Sequence, residues 1–295
     1  IPGSVTTLHT FSEVMPGSLP PTLSFLKLEK LGEFPPGVLP TSLRTLEFKD
    51  EYFEYLEPGT IPEGVTTLVI ENVNQVLAPG VIPSTVTKLT FGYLFSQPMT
   101  LGLLPDSLTT LVFGERFNDR LSLPVSITSL KFGKYFNQML SPDDLPKSLL
   151  YLEFGKHFNH PLSVGVLPPS STTIRMGKRF SHRLSSECIP ASVTSLSIPG
   201  LDNLSIDCGM SLPSSLCLNI QKPRSVYKAK SYSKGTYFKV LKSINNITFS
   251  QYGSFNLIHG RKLDDKYALL YNDFMYIEFI RYDQEDIDPK GKRRL

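Results

Sequence analysis

The sequence predicts a mainly β solenoid of about eleven 22-residue coils that share one parallel β-sheet, followed by a small β-rich C-terminal cap. Three observations predict it: proline recurs at a nearly constant interval, the same apolar spacing follows each proline, and glycine and phenylalanine recur at fixed later positions. A period of this length indicates stacked units, none of which can bury its apolar face alone. The recurring prolines are Pro2, Pro20, Pro40, Pro62, Pro83, Pro105, Pro124, Pro146, Pro168, Pro190 and Pro213.

The apolar spacing after each proline predicts one short strand per coil. After Pro146, for example, come Leu149, Leu152 and Phe154, the pattern L-x-x-L-x-F. Its last two apolar residues alternate with polar ones, which is typical of a half-buried strand. The spacing is close to the L-x-x-L-x-L core of leucine-rich repeats, so the fold predicted is leucine-rich-repeat-like.

The remainder of the coil is regular in the middle copies. We expect the recurrent glycine to mark a sharp corner or a positive φ, the recurrent phenylalanines to form a buried stack, and the Asn or Ser after them to bond neighbouring backbone. A further apolar column should also point inward. These columns are Gly92, Gly114, Gly133, Gly155 and Gly177; Phe95, Phe117, Phe136, Phe158 and Phe180; Ser96, Asn118, Asn137, Asn159 and Ser181; and Met99, Leu121, Leu140, Leu162 and Leu184. The pairs Pro16-Gly17, Pro36-Gly37, Pro58-Gly59 and Pro79-Gly80 predict turns.

The repeat resembles the FNIP repeat, a leucine-rich-repeat relative of social amoebae and amoeba-infecting giant viruses. The clearest copy runs through Leu145-Pro146-Lys147-Ser148, Leu152-Glu153-Phe154-Gly155 and Phe158-Asn159-His160-Pro161-Leu162. It keeps three of the four residues of Phe-Asn-Ile-Pro, and the resemblance covers about residues 1–221; the first four copies lack the Gly and the Phe-Asn pair. The resemblance implies protein binding, and in such proteins often an N-terminal F-box that recruits a ubiquitin-ligase scaffold. Because the chain begins on the first residue of a repeat and without an initiator Met, we expect that an N-terminal region precedes Ile1.

Three regions are predicted: a repeat solenoid over residues 1–221, a β-rich capping region over 222–282 and a mobile basic tail over 283–295. In the second, strands are expected at Tyr237–Leu241, Ile247–Tyr252 and Ser254–Ile258, and a hairpin at Tyr267–Tyr271 and Phe274–Tyr282. We expect this region to cover the last strand of the solenoid.

Composition excludes several classes of protein. No apolar segment could span a membrane and none resembles a signal peptide. The three cysteines have no paired spacing, which favours the cytoplasm (of a host cell if the protein is viral), with a virion as the alternative. The net charge of +3 is too small to dictate a partner, although the chain runs from an acidic first part to a basic second part. No phosphate loop, nucleophile motif or zinc motif is present, so we predict no enzyme and no cofactor.

The outward face of the sheet is the first candidate binding surface. One residue per strand should point outward between the two buried residues, and its chemistry changes from coil to coil, as a recognition surface requires. Unconstrained surface positions would look the same. We call these residues the sheet-face column: His9, Lys27, Glu47, Val69, Thr90, Val112, Lys131, Glu153, Arg175 and Ser197.

A basic ridge is the second candidate binding surface, because stacked cations repel one another unless an anion binds to them. Its members are Arg116, Lys134, Lys156, Lys178 and Arg179. Since the Phe column should point inward, few aromatic rings are free to stack on bases, and nucleic acid is disfavoured. His160 and His182 share a column with His157 nearby, but no carboxylate or thiol recurs beside them, so no metal site is predicted.

The sequence therefore predicts a non-enzymatic protein-binding module, the resemblance suggesting the substrate-recognition part of an F-box-type adaptor. The alternative is a structural component, for example of a giant-virus particle, built by end-to-end stacking of solenoids. A third interpretation is binding of an acidic partner through the basic ridge.

Overall fold

The computed structural model describes residues 1–11, 14–29, 35–49, 56–71, 76–200, 203–204 and 215–220, and the backbone of strands at 246–249, 258–262, 267–272 and 277–281. The chain divides into two compact units. Unit 1 comprises Ile1–Gln138 and Asp143–Lys156, and unit 2 comprises Met139–Pro142 and His157–Leu295.

Unit 1 contains eight short strands that pair in parallel and in chain order. Leu8, Leu26, Leu46 and Leu68 are direct register partners, so the repeat period of the sequence becomes the register of the sheet. The prediction of one strand per coil is confirmed. The strands are β1 (Thr7–Thr10), β2 (Phe25–Leu28), β3 (Thr45–Phe48), β4 (Thr67–Ile70), β5 (Lys88–Phe91), β6 (Thr110–Val112), β7 (Ser129–Lys131) and β8 (Tyr151–Glu153).

In the residues that the structure describes, unit 2 contains four parallel strands followed by three antiparallel strands. β9 (Thr173–Arg175), β10 (Ser195–Ile198), β11 (Cys217–Ile220) and β12 (Asn246–Phe249) pair in parallel. β13 (Ile258–Lys262), β14 (Tyr267–Asn272) and β15 (Ile277–Arg281) follow as antiparallel neighbours. The hairpin expected at Tyr267–Tyr271 and Phe274–Tyr282 is therefore present as the antiparallel pair β14 and β15.

The C-terminal predictions are only partly covered by the described residues. β12 pairs directly with β11, the position in which a cap on the last repeat strand was expected. The strand predicted at 237–241, most of that at 254–258 and the tail at 283–295 lie outside the described residues. The division at residues 221 and 222 stays a prediction. A 3-10 turn at Ser186–Cys188 is present, and the part of the chain that the structure describes has no α-helix.

The core consists of the predicted apolar columns, and in the middle coils of unit 1 two phenylalanine rings of the same coil also stack on each other. The Phe column is buried throughout, and each middle coil of unit 1 stacks two of its own rings face to face: Phe91 on Phe95 at 3.7 Å and Phe113 on Phe117 at 3.9 Å between centroids. Rings of successive coils lie farther apart, at 6.1 Å for Phe91 and Phe113. In unit 1, the Phe column and the strand-end phenylalanines that stack on it therefore form one continuous aromatic layer. The second inward column is also buried except for Leu121, which is half-buried.

Serine and threonine hydroxyls two residues after the coil proline connect successive coils. Ser107 Oγ donates to the Val86 carbonyl at 2.7 Å, and Ser126 Oγ donates to the Leu108 carbonyl at 2.7 Å. In the coil that begins at Pro62 this position is Gly64, and Arg44 Nη1 instead donates to the Leu43 carbonyl at 2.9 Å. The repeated serines thus satisfy backbone groups of the turn, which explains their abundance structurally.

The recurrent glycines at the coil corners were expected to mark a sharp corner or a positive φ, and the structure excludes the second explanation. Gly114, Gly133 and Gly155 do not have positive φ, so that part of the prediction is wrong. A Cβ on Gly133 would instead overlap the carbonyl group of Gly114 and lie 2.8 Å from Cα of Glu115. The corner of one coil packs against the corner backbone of the previous coil, and only the absence of a side chain allows this approach.

The Pro-Gly turns do require positive φ, as predicted. Gly17, Gly37, Gly59 and Gly80 have φ between 74° and 88°. Asp143 occupies the same position before the proline of its coil and has φ of 74°, the only positive value at a non-glycine residue in the described part of the chain.

Replacing Asp143 by glycine should stabilise the protein. Asp143→Gly relieves the left-handed backbone conformation, and we expect the free energy of unfolding to rise by about 1 kcal/mol. The lost ion pair with Lys147, 3.1 Å long between largely exposed side chains, contributes little. Urea unfolding followed by circular dichroism measures the change. Asp144→Gly is the matched control, since Asp144 has ordinary φ and should lose stability; equal effects of the two variants would contradict the explanation.

Candidate functional site

The strand register of unit 1 places eight residues of the sheet-face column side by side. Each strand contributes one of them between its buried positions, and consecutive members are direct register partners. The eight are His9, Lys27, Glu47, Val69, Thr90, Val112, Lys131 and Glu153. Parallel neighbours in a sheet lie about 4.8 Å apart, so a ligand could contact several of them at once.

This column has charged ends and an uncharged centre. Val69, Thr90 and Val112 are half-buried and present methyl groups in the middle of the unit. Lys131 and Glu153 follow at one end and form an ion pair of 3.0 Å across β7 and β8. The Tyr151 hydroxyl also donates to Glu153, which fixes that carboxylate from two sides.

The other end of the column is organised by a carboxylate that the sequence analysis did not select. Glu29 directly follows β2, and its Oε1 lies 2.7 Å from Lys27 Nζ and 2.8 Å from His9 Nε2. The hydrogen bond from Lys27 lowers the pKa of Glu29, and the same bond raises the pKa of Lys27. His9 and Lys27 are thereby held together on the surface with 42% and 26% of their side-chain surface exposed.

In unit 2 the sheet-face column contains Arg175, which is exposed, and Ser197, for which the prediction is wrong. Ser197 is 6% exposed and therefore does not present a side chain to a partner. Its hydroxymethyl group is short, and its register partners Arg175 and Asn219 are both longer. The alternation rule gives the side of the strand on which a residue lies, but it does not give how far a side chain reaches.

The residues of the predicted basic ridge have varied surroundings. In unit 1, Arg116 and Lys156 are exposed, whereas Lys134 is half-buried and lies 3.8 Å from Glu115. A hydrogen bond with the Tyr135 side chain is the main cause of the raised pKa of Lys134. In unit 2, Lys178 is half-buried and Arg179 is exposed. In unit 1, Glu115 and Tyr135 therefore both interact with Lys134, and binding through the basic ridge stays a prediction.

The sequence analysis missed a cluster of surface aromatic residues beside Arg116. Tyr93 and Tyr135 are 45% and 38% exposed, and the Arg116 guanidinium carbon lies 5.1 Å from the Tyr93 ring centroid. With Leu94 and Ser96 these residues line an open depression of about 430 Å³. Tyr93 lies one residue and Tyr135 two residues after the corner glycine of its coil, so inspection of the two columns that follow the glycine could have found them. We call this feature the Tyr-Arg depression: Tyr93, Leu94, Ser96, Arg116 and Tyr135.

The histidines of unit 2 make structural contacts. His182 Nε2 lies 3.1 Å from the Asn159 carbonyl oxygen, and the rings of His160 and His182 pack edge-on against Phe158 and Phe180. Within the described ranges, no group of three His, Cys, Asp or Glu side chains could hold a metal ion. Helices long and apolar enough to cross a bilayer are likewise absent from those ranges.

The predicted Asn contacts between coils are confirmed. The Asn137 N–H donates to Asn118 Oδ1 at 2.7 Å, and the Ser181 N–H donates to Asn159 Oδ1 at 2.8 Å. Each side chain thus satisfies a backbone donor of the following coil, which holds the coil corners in register.

Comparison with known proteins agrees with this architecture. The model of the FNIP repeat family matches residues 54–94, 119–157 and 158–200. Among solved structures, the chain is similar to CroV588, described as a novel circular LRR protein structure, with 27% identity and a TM-score of 0.55 over 76% of this chain and 42% of that chain. It is also similar to YopM from Yersinia enterocolitica WA-314, with 20% identity and a TM-score of 0.44 over 75% of this chain and 52% of that one. No curated protein matches.

This chain therefore spans less than half of CroV588 and about half of YopM. Repeat modules of the leucine-rich type are typically protein-binding scaffolds rather than enzymes. The parallel sheet with one strand per coil agrees with the three matches to the repeat family model. The chain carries FNIP repeats, matched at residues 54–94, 119–157 and 158–200, in a mainly β, leucine-rich-repeat-like solenoid fold.

Proposed function

We propose that this protein binds a protein target on the outward face of its parallel sheet. The observation that supports this most directly is the in-register column of unit 1. Its side chains lie on adjacent hydrogen-bonded strands, with charged residues at both ends and uncharged residues in the centre. A surface of fixed geometry with position-specific chemistry loses little conformational entropy when a partner binds. Val69, Thr90 and Val112 would form the apolar centre, and the charged ends would select the orientation of the target.

Five substitutions in the sheet-face column should abolish recovery of the target. The variant carries Ala at Lys27, Glu47, Lys131, Glu153 and Arg175, and we expect a pull-down with the whole chain to lose the proteins that the wild type enriches. Removal of several interface charges reduces affinity by about tenfold or more. A control variant with Ala at five exposed residues away from the strands has the same change in charge: Glu63, Arg120, Lys147, Arg183 and Glu187. An unchanged profile for the first variant, or equal losses for both, would contradict the proposal.

In the finer form of the proposal, the bound target is delivered for ubiquitination by an adaptor of which this chain is the recognition part. Its support is the resemblance to FNIP proteins. The target identified by pull-down should then have a longer half-life in cells that lack the protein, and the sheet-face variant should fail to restore turnover. The free thiols of Cys188 and Cys217 support a reducing cytoplasm as the working compartment.

Assembly into a particle or filament is the competing function. A stable monomer by light scattering over a wide concentration range is the outcome expected for a binding module. Growth of the scattering mass with concentration would favour heterologous end-to-end contacts instead.

A further inference from the structure

Arg116 differs in its surroundings from the ion-paired lysines of unit 1. Lys131 is paired with Glu153, Lys134 with Glu115, and Lys147 with Asp143. Arg116 forms no salt bridge to any residue that the structure describes, and its guanidinium group instead lies over the Tyr93 ring. An arginine held against an aromatic ring keeps its donors available on the edge of the guanidinium plane.

The side chains around Arg116 suit a mixed ligand. Tyr93 and Tyr135 are exposed, the Lys134 ammonium lies 4.8 Å from the Tyr135 ring centroid, Leu94 adds aliphatic surface, and Ser96 adds a hydroxyl group. Exposed Tyr and Arg in one concave surface are the residue types that dominate protein interfaces. The backbone beneath them is fixed, because the Arg116 N–H donates to the Tyr93 carbonyl at 3.2 Å and the Tyr135 N–H to the Glu115 carbonyl at 2.9 Å.

We propose that the Tyr-Arg depression is a second binding site, distinct from the sheet-face column, for an acidic segment of a protein partner. A carboxylate of the segment pairs bidentately with Arg116, and an adjacent apolar or aromatic side chain packs on Tyr93, Leu94 and Tyr135. Charge selects this occupant: the depression has one cation without a carboxylate partner, while Glu115 already answers the neighbouring Lys134. A nucleic acid would be attracted by Arg116 but repelled by the nearby carboxylate of Glu115, so binding of a polyanion is disfavoured.

Selection of random dodecapeptides displayed on phage, with the whole chain immobilised, tests the site. Wild-type protein should enrich peptides in which Asp or Glu is next to an aromatic or aliphatic residue, and Arg116→Gln should not. Arg179→Gln is the matched control, since Arg179 is exposed at the same position of its own coil in unit 2, and it should enrich the wild-type set. Enrichment without acidic residues, no enrichment, or equal loss in both variants would overturn the proposal.

Fluorescence anisotropy with the most enriched peptide then separates the two contacts. We expect Arg116→Gln, or replacement of the peptide carboxylate by its amide, to weaken binding by about tenfold. Tyr93→Ala should weaken it by a similar factor, while Tyr93→Phe keeps the ring and most of the affinity. The variant with five Ala substitutions in the sheet-face column should bind the peptide with unchanged affinity. Displacement of the peptide by a single-stranded RNA dodecamer, with a steep dependence on salt, would assign the depression to nucleic acid and overturn the proposal.

Discussion

We expect Gly133→Ala to lower the free energy of unfolding by about 3 kcal/mol, a large effect for the addition of one methyl group. The new Cβ would overlap the Gly114 carbonyl and lie 2.8 Å from Cα of Glu115, and both contacts are with backbone. Side chains can rotate away from an inserted methyl group, but the backbone of the preceding coil can yield only if the coils separate. Separation would weaken the adjoining strand hydrogen bonds and the aromatic layer together. Urea unfolding followed by circular dichroism measures the loss.

Two further glycines make this prediction specific to backbone contact. Gly3 has open space around it and ordinary φ, so Gly3→Ala should leave stability nearly unchanged. Gly102 also has open space but φ of 80°, so Gly102→Ala should cost about 1 kcal/mol through conformational strain. The expected order of destabilisation is Gly133, then Gly102, then Gly3. If Gly133→Ala were no worse than Gly102→Ala, close packing of the corners would not be the reason for the glycine column.

The second large effect is expected at the centre of the aromatic layer. Phe117 is fully buried, stacks on Phe113 at 3.9 Å and lies between Phe95 and Phe136 at 6.2 Å and 6.0 Å between centroids. Phe117→Ala removes the ring and leaves a cavity that the ladder of coils cannot collapse to fill. We expect the free energy of unfolding to fall by about 3–5 kcal/mol, with a matching decrease of the melting temperature in calorimetry.

Phe11→Ala provides the control for this substitution. Phe11 is 69% exposed, so the same change of residue should alter stability by less than about 0.5 kcal/mol. Phe117→Leu should lie between the two, because it retains apolar volume but loses the stacking. Similar losses for Phe117→Ala and Phe11→Ala would show that the layer contributes little to stability.

The repeat period was sufficient to predict the strands and the buried columns. One strand per coil, the inward Leu and Phe residues and the Pro-Gly turns all follow from the spacing of residue types, because a repeated backbone places equivalent residues in equivalent surroundings. The same logic placed His9, Lys27 and Glu47 side by side on one face before their register was known.

Contacts between coils could not be read from the period. The pattern identified Gly133 as a recurrent position of the repeat, yet the choice between positive φ and close approach depends on where the preceding carbonyl lies. The burial of Ser197, the replacement of a serine contact by Arg44 and the pairing of Lys134 with Glu115 depend in the same way on side chains of adjacent coils.

In this protein, then, the coil, its strand and its buried face follow from the amino-acid pattern, since those depend on local spacing and on the repeat of one backbone path. Which charges are paired, and where Tyr93, Arg116 and Tyr135 form a concave surface, became known from the folded structure alone. Those features arise from residues about one coil apart, and their side-chain reach and orientation are set by packing between coils rather than by position within one.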